Sequence, residues 1–519
     1  MDAGILAAAS EATTGLGEFL WTQFHDTPWR FWADQAVVNG EVIKEPWRNF
    51  WLRLIFDDRY LVCYFLPLLP ILLLLSGRRL RIGIVVTGLI FLTYVFGVFY
   101  ALFWLGMCVA FHRLGEQFAI EAKRTDVIRW GPPLAAGACI VGWYLFTDVL
   151  QHLDLPDRWN LGLFAHARWL FPLGARGLWW EPRFVEMYAY AKAPDPTQMF
   201  HAIFWNPHNI GTAYFTIRML QYFSEIKRDN IPRERRTLLN FLAFVCYAPT
   251  LMQGPIERFK EFQGEMDTCH QRRGWHNVPP AFARIAWGII KSVLVVRFFG
   301  WVLYFQVGVN NPDIDFYAHP ERIQSYAVLY FGVFLQIWCL YLEFSGYCDV
   351  AAGMSRLLGY RQIENFNWPW LATSMRDLWR RWHISLSFML RDYVYIPLGG
   401  NRRHAALNVV ITFLLIGAWH APTKPQVTIW GIVMGLMVVV NQKWVAWMKS
   451  IEAAPATRLA TIRRRVRKLR PLPQICSWAL TMNAFVFSLL IFFGGSGAIR
   501  VGWELIRRPV EWLAQAWGL

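Results

Sequence analysis

The sequence has 519 residues, of which 55% are hydrophobic, 17% aromatic and only 17% charged. This composition excludes an ordinary soluble protein and predicts a chain that crosses the membrane many times. The net charge of +16 comes from basic residues that cluster in short loops between apolar runs, a pattern typical of cytoplasmic loops that face anionic lipids. We therefore expect membrane lipids as partners and no nucleic acid.

The eight cysteines contain no C-x-x-C pair and lie mostly inside apolar runs. This pattern predicts neither a disulfide framework nor a zinc site, and we expect no bound metal. The amino terminus, MDAGILAAAS, lacks the basic segment of a standard cleaved signal peptide. We expect the first spanning helix to direct the chain to the membrane.

Residues 1–58 are rich in Trp and Phe with mixed charges, which favours amphipathic helices on the membrane surface. Residues 59–208 read as N-terminal membrane helices followed by a long external, Trp-rich loop. The first clear span is 60–76. The next apolar run, 82–111, has basic residues on both sides and about thirty residues, so we expect a tight hairpin of short helices.

Residues 209–447 form the predicted core of the protein. Its first spans are 210–224 and 238–254, with a basic loop between them. The next apolar run carries Arg284 and Lys291, and charges at membrane depth must snorkel, pair or line a cavity. We expect Arg284 to snorkel toward the lipid surface and consider Lys291 a candidate for the path of the acyl donor.

The following span, 326–347, has Glu343 near its end, and we expect this carboxylate to pair with an arginine in a structural role. After it, the segment 365–370 contains a proline in its middle and predicts a bend. Read as one helix, the residues beyond the bend place a narrow polar stripe opposite an apolar arc that includes Trp382. The stripe consists of Arg376, Arg380, His383, Ser387 and Arg391. Such a helix lies along an interface or lines a wet funnel.

His420 is the only ionisable side chain in the apolar run 408–421. At about 1.5 Å per residue it lies roughly 18 Å beyond the start of that run, past the middle of a hydrocarbon core about 30 Å thick. An ionisable group at that depth indicates a function. The alternative is that Pro422 and Pro425 end a short helix early and leave His420 at the interface.

A strongly basic segment, 449–470, follows the next span and marks the cytoplasmic side, so we expect the turn after His420 to be external. Residues 448–519 then comprise this basic loop, a last span over 476–493 and an amphipathic tail over 499–517. The predicted fold is an all-α, polytopic membrane protein with about ten or eleven embedded helices and amphipathic interfacial helices.

Four motifs in this order resemble the membrane-bound O-acyltransferase family, in particular its bacterial alginate O-acetyltransferase-like branch. They are NFLAFVCYAPTLMQGPIERFKEF, FSGYCDVAAGMSRLLGY, and RDLWRRWHISLSFMLRDYVYIPLGGNR with the later GAWHA. The resemblance covers about residues 209–441 and implies a core of helices around a central tunnel. It also implies that His420 is the family's key histidine and His383 its second histidine. Ala421 stands where the family has glycine.

The resemblance implies a protein of the bacterial inner membrane. It would transfer an acetyl group to a hydroxyl of an extracytoplasmic polysaccharide, alginate-like or another exopolysaccharide. A desolvated histidine stays neutral and suits a general base, which favours His420 as a catalytic residue. The resemblance implies a catalytic role for His383 as well, and the arginines around it would supply positive potential for phosphates or for the oxyanion. The residues expected to bind the donor or substrate are Arg376, Arg380, Ser387, Arg391, Trp382, Trp419 and Lys291. Acetyl-CoA or an acyl-carrier thioester would be the co-substrate, with no bound cofactor, and a periplasmic acetyltransferase is the expected partner.

Other functions fit the same residues. A D-alanyl group or a longer acyl chain, delivered to teichoic acid, a lipid or a protein, is the nearest alternative. A membrane transporter would also use ionisable side chains such as Lys291, Glu343 and His420 at membrane depth. The chain lacks the paired halves with matching broken helices that many transporters have, which argues against that function. A non-catalytic scaffold is the third alternative.

Overall fold

The computed structural model describes residues 36–38, 41–43, 68–96, 98–124, 212–251, 254–295, 316–420, 425–453, 471–494 and 497–517, with isolated positions in 299–307 and 458–469. The chain forms two compact units, Met1–Leu66 and Pro67–Leu519. The predicted first span up to residue 67 and the external loop at 150–209 lie outside these ranges. The predictions for them are not tested by the structure.

In the first unit, strands β1 (Ala36–Val38) and β2 (Glu41–Ile43) pair in an antiparallel hairpin. Val38 pairs with Glu41, so only the Asn-Gly dipeptide at 39–40 connects the strands. This dipeptide is the preferred sequence of a two-residue hairpin turn. The predicted amphipathic helices over 1–58 are therefore wrong for these strand residues.

In the second unit the described residues fold into helices joined by short turns. In chain order these are α1 (Gly77–Phe96), α2 (Val98–Arg124), α3 (Thr212–Lys227), α4 (Leu238–Val245), α5 (Phe259–Thr268), α6 (Val278–Ile289), α7 (Tyr326–Leu357), α8 (Met375–Arg381), α9 (Ile384–Leu390), α10 (Ala405–His420), α11 (Pro425–Ala453), α12 (Leu472–Gly494) and α13 (Gly497–Ala516). Apart from the hairpin, the predicted all-α class is confirmed.

Within the described ranges, α7, α11 and α12 are long and apolar enough to cross a membrane, and α10 is a shorter apolar helix. The predicted hairpin over 82–111 is confirmed as α1 and α2, although both helices are longer than expected. The amphipathic tail is confirmed as α13, which buries Val501 and exposes Trp503 and Trp512. The total of ten or eleven embedded helices stays a prediction.

The predicted span over 238–254 is wrong, because α4 ends after only two turns and a 3-10 turn, Ala248–Thr250, follows. The break leaves backbone carbonyls without helical partners. Arg218 of α3, which is 2% exposed, donates to the carbonyl oxygens of Phe244 at 2.8 Å and of Thr250 at 2.6 Å. A buried guanidinium thus donates the hydrogen bonds that these carbonyl oxygens lack where the helix is interrupted.

Glycines bring two helix pairs into backbone contact. Between α6 and α7, a Cβ on Gly288 would lie 2.5 Å from the carbonyl oxygen of Gly346. Between α10 and α11, a Cβ on Gly417 would lie 2.4 Å from the carbonyl oxygen of Val427, and one on Gly431 would lie 2.3 Å from that of Phe413. These contacts fix the helices that carry Lys291 and His420 relative to their neighbours.

Candidate active site

The predicted polar stripe fails because the helix is broken at its centre. Helix α8 ends before Trp382, and His383 adopts a left-handed conformation with φ 45° and ψ 54° before α9 begins. A non-glycine residue in this region costs on the order of 1 to 3 kcal/mol, so the surrounding contacts must hold it. The residues before and after the break consequently do not share one helix face.

Two backbone hydrogen bonds hold the break against the predicted bend at 365–370. The N–H of Asn367 donates to the carbonyl oxygen of Arg381 at 2.9 Å, and the N–H of Ile384 donates to that of Asn365 at 2.9 Å. The bend itself is confirmed, with Trp368 at φ 47° followed by a 3-10 turn, Pro369–Leu371. The bend therefore sets the backbone on both sides of His383.

The side chains of the expected stripe are spread over different surroundings. Arg376 and Arg380 on α8 are exposed, and Ser387 on α9 is half-buried. Arg391 is exposed, donates from Nε to Asp392 at 2.6 Å and lies over the ring of Phe388. Their predicted roles in donor binding stay predictions.

His383 is buried rather than wet, with 3% of its surface exposed. Its Nδ1 lies 3.2 Å from Oδ1 of Asn365, and its ring meets the edge of Phe344 with 4.8 Å between ring centroids. Nε2 is buried and has no hydrogen-bond partner within the part of the chain that the structure describes. The ring thus has one satisfied and one unsatisfied nitrogen.

Asn365 and Ser385 were not identified from the sequence, yet they connect most polar atoms around His383. Both are 1% exposed. Ser385 donates to Oδ1 of Asn365 from its backbone N–H at 3.2 Å and from Oγ at 2.9 Å, and its Oγ accepts from the N–H of Ile256 at 2.9 Å. In the sequence, Asn365 is only a polar residue at the start of the proline-containing bend, and nothing there indicates that it contacts His383 and Ser385.

His420 is the last residue of α10 and lies in an aromatic environment. Ring centroids of Trp419, Phe492 and Trp430 lie 4.7, 5.9 and 6.2 Å from that of His420. The ring makes no hydrogen bond to any other described residue. His420 lies within electrostatic range of His383. The catalytic roles of both histidines stay predictions.

The two tryptophans expected to bind substrate differ in position. Trp382 is buried, with its ring centroid 5.0 Å from that of Phe485 and 5.4 Å from that of Phe366. Trp419 adjoins His420 and meets the edge of Tyr214 with centroids 5.8 Å apart. Trp382 therefore belongs to the packed aromatic core, whereas the ring of Trp419 lies against that of His420. Their roles in substrate binding stay predictions.

Lys291 lies in a π-helical turn, Ile290–Val295, that continues α6. Its Nζ donates to Oγ of Ser345 at 3.0 Å and forms an ion pair with Asp349. Arg284 shares that carboxylate at 3.1 Å and donates to Glu364 at 2.6 Å. The predicted lipid-facing snorkelling of Arg284 is therefore wrong, because Arg284 pairs with Asp349 of α7 and with Glu364, just before the bend.

The place of Lys291 in the donor path stays a prediction. Glu343 is buried on α7, and its pairing with an arginine also stays a prediction.

The described residues contain no group of three or more His, Cys, Asp and Glu side chains that could hold a metal ion. The chemistry that the site can perform with its own groups is proton transfer at an imidazole. Its surroundings are aromatic, with Phe344 and Phe492 beside the two histidines.

Residues 166–470 match the family model described as MBOAT, membrane-bound O-acyltransferase family. The chain is 29% identical over 299 residues to the "Probable alginate O-acetylase AlgI" of Pseudomonas aeruginosa, covering 57% of this chain and 50% of that protein. It is 26% identical to the teichoic acid D-alanyltransferase of Bacillus subtilis, covering 49% of this chain and 65% of that protein. It is 29% identical to the peptidoglycan O-acetyltransferase of Helicobacter pylori, covering 49% and 44%. The chain thus spans about half the length of the first of these relatives. His383, His420, Asn365 and Lys291 all fall inside the matched region.

Proposed function

The chain belongs to the membrane-bound O-acyltransferase family, and we propose that it transfers an acetyl group from a cytoplasmic thioester to a hydroxyl of an extracytoplasmic polysaccharide. The observation that carries this proposal is that His383 and His420 both lie against aromatic rings inside the family region. Similarity to an alginate O-acetylase supports acetyl as the acyl group and a polysaccharide as the acceptor. Acetyl-CoA or an acyl-carrier thioester is the co-substrate.

The reaction needs a base for the hydroxyl proton and an environment that keeps water from the thioester. In this mechanism an imidazole of the His383–His420 pair takes the proton as the hydroxyl oxygen attacks the acyl carbon. The carbon–sulfur bond then breaks, and the thiolate takes the proton from the imidazole. A positioned base of this kind contributes about 10² to 10⁴-fold in rate. The aromatic rings of Trp430 and Phe492 beside His420 restrict water around the reacting groups.

The arrangement along the chain supports delivery of the two substrates from opposite faces of the inner membrane. The basic segment at 449–470 begins in the last turn of α11 and indicates a cytoplasmic end, which supports an external position for His420 at the other end of the α10–α11 pair. Exposed Arg376 and Arg380 supply positive charge for the phosphates of a coenzyme A or carrier thioester. A periplasmic acetyltransferase would complete delivery to the polymer.

A second donor is favoured by one specific observation, the similarity to the teichoic acid D-alanyltransferase of Bacillus subtilis. In that case the thioester would carry D-alanine on a carrier protein, and the same two histidines would serve the same steps. Both reactions release a free thiol from a thioester. A transporter that lacks catalysis releases none, so one assay separates these functions.

The test is thiol release from acetyl-CoA, or from a D-alanyl carrier protein, by the purified protein in detergent with an oligosaccharide acceptor. The variants are His420→Ala and His383→Ala, and the matched control is His270→Ala, an exposed histidine on a 3-10 turn. We expect turnover to fall by about 10² to 10⁴-fold in the first two variants and to stay in the control. Unchanged turnover in both, or no turnover of either donor by the folded wild type, would contradict the proposal.

A further inference from the structure

The polar contacts of Asn365 determine which of its side-chain atoms is the oxygen. The backbone N–H of Ser385 can only donate, and it lies 3.2 Å from the atom assigned as Oδ1. The hydroxyl of Ser385 accepts from the N–H of Ile256, so its own hydrogen is available for Oδ1 at 2.9 Å. The other end, Nδ2, faces Sγ of Cys348 at 3.4 Å, a weak acceptor. A reversed amide would place its NH₂ group against the Ser385 N–H.

This orientation decides the protonation of His383. Oδ1 of Asn365 has no hydrogen to give, so the contact with Nδ1 of His383 at 3.2 Å is a hydrogen bond only when Nδ1 carries a proton. In the neutral ring the lone pair is then on Nε2. That nitrogen is buried and has no hydrogen-bond partner among the residues described by the structure.

The backbone adds a second constraint on the same ring. The Asn365 carbonyl accepts from the N–H of Ile384, the residue that follows His383. Asn365 therefore holds both the side chain of His383 and the chain beside its left-handed backbone. Among the described residues, Oδ1 of Asn365 is the only side-chain acceptor for a hydrogen bond from Nδ1 of His383.

Resting on the function proposed above, we propose that Asn365 is a positioning residue that keeps His383 in the Nδ1–H tautomer, so that Nε2 is the nitrogen that receives the hydroxyl proton. The O–H bond breaks as the Nε2–H bond forms, and the same proton later goes to the thiolate. Protonation at Nε2 gives a ring with two N–H groups, and Nδ1–H keeps its bond to the Asn365 oxygen throughout. Asn365 itself exchanges no proton.

The first measurement needs no turnover. Nitrogen-15 NMR of histidine-labelled protein in lipid distinguishes a protonated from an unprotonated ring nitrogen, and subtraction of the His383→Ala spectrum identifies the His383 signals. We expect protonated Nδ1 and unprotonated Nε2 in the wild type, the same pattern in Asn365→Asp, and a mixture of tautomers in Asn365→Ala. The near-isosteric carboxylate keeps the acceptor, whereas the methyl group removes it. Asn408→Ala is the matched control, because Asn408 is another buried asparagine that donates only to the backbone carbonyls of Gly400 and Arg403.

The second measurement is kinetic. Asn365→Ala is expected to lower kcat by about 10² to 10⁴-fold with little change in the KM of the thioester, because a misplaced tautomer removes the base and not the donor site. Asn365→Asp should recover most of kcat and move the acidic limb of the pH profile to higher pH, since a carboxylate stabilises the imidazolium. Asn408→Ala should leave that limb in place.

The outcomes separate this inference from the proposed function. A wild-type ring protonated at Nε2, or a tautomer unchanged in Asn365→Ala, would overturn the role of Asn365 whether or not thioester is cleaved. If Asn365→Ala does not fold, the wild-type spectrum and the Asn365→Asp pH profile still decide it. The expected spectra with no thiol release in the wild type would support the positioning role and contradict the acyltransferase proposal.

Discussion

Replacing Gly417 by alanine tests whether backbone contact between α10 and α11 sets the position of His420. The new Cβ would lie 2.4 Å from the carbonyl oxygen of Val427 and 2.9 Å from Cα of Thr428. Carbon–oxygen contacts are ordinarily about 3.3 Å or longer, so the two helices must separate by about 1 Å. Both obstructing atoms are backbone atoms, and rotation of a side chain cannot relieve the contact.

His420 lies three residues after Gly417 at the end of the same helix, so the separation reaches its ring directly. A displacement of about 1 Å at a catalytic group can lower the rate by about 10²-fold. Overpacking of a close helix contact also costs about 1 to 3 kcal/mol of stability. We expect Gly417→Ala to show a lower kcat for thiol release and a lower midpoint of thermal unfolding in detergent.

The matched control is Gly264→Ala on α5, where a Cβ would meet no atom within 4 Å. Alanine is a better helix former than glycine by roughly 0.5 to 1 kcal/mol, so this variant should unfold at the same or a slightly higher temperature. If Gly417→Ala matched the control in both kcat and unfolding midpoint, the backbone contact would not determine the position of His420. The unfolding result tests the packing even without an activity assay.

Three further results are expected. Asp349→Ala leaves Lys291 without its buried ion-pair partner and should cost about 3 to 5 kcal/mol, seen as a lower unfolding midpoint; replacing both by apolar residues of similar size should recover most of it. Burial raises the pKa of Glu257 from 4.5 to about 8. Between pH 4.5 and about 8 the folded protein therefore keeps a proton on Glu257 that the unfolded chain has lost, and the free energy of unfolding should fall as the pH rises across that range. Glu257→Gln should abolish this dependence, and an equal slope in both proteins would contradict it. Arg376→Ala with Arg380→Ala should raise the KM for acetyl-CoA by roughly three- to thirtyfold with kcat unchanged; an unaltered KM at low salt would exclude these arginines from donor binding.

The apolar helices could be predicted closely because their signal is local. The run 408–421 became α10 at Ala405–His420, and the run 476–493 became α12 at Leu472–Gly494. Helix α7 begins where predicted but continues ten residues beyond Tyr347. Its extra turns pack through Gly353 against the backbone of Ala281 in α6, and hydropathy does not report such a contact.

The interior of the candidate site could not be predicted, because distant residues determine it. Helical periodicity placed His383 in a continuous polar stripe, and no Gly or Pro within residues 376–391 signals a break. The break depends on Asn365, which lies eighteen residues earlier in the chain. Arg284 was assigned to the lipid surface for the same reason, since its partner Asp349 is sixty-five residues away. Chemical type made the two histidines candidates for the site, but only tertiary structure gives their surroundings.

The glycine contacts between α10 and α11 also restrict how a substrate can approach. A seam made of Gly417, Gly431 and opposing backbone carbonyls contains no side chain that could move aside. An acyl chain is several ångströms wide, so a molecule dissolved in the bilayer cannot slip between these two helices. Under the proposed function, a lipid-linked substrate that enters sideways would have to reach His420, at the end of α10, across another helix boundary.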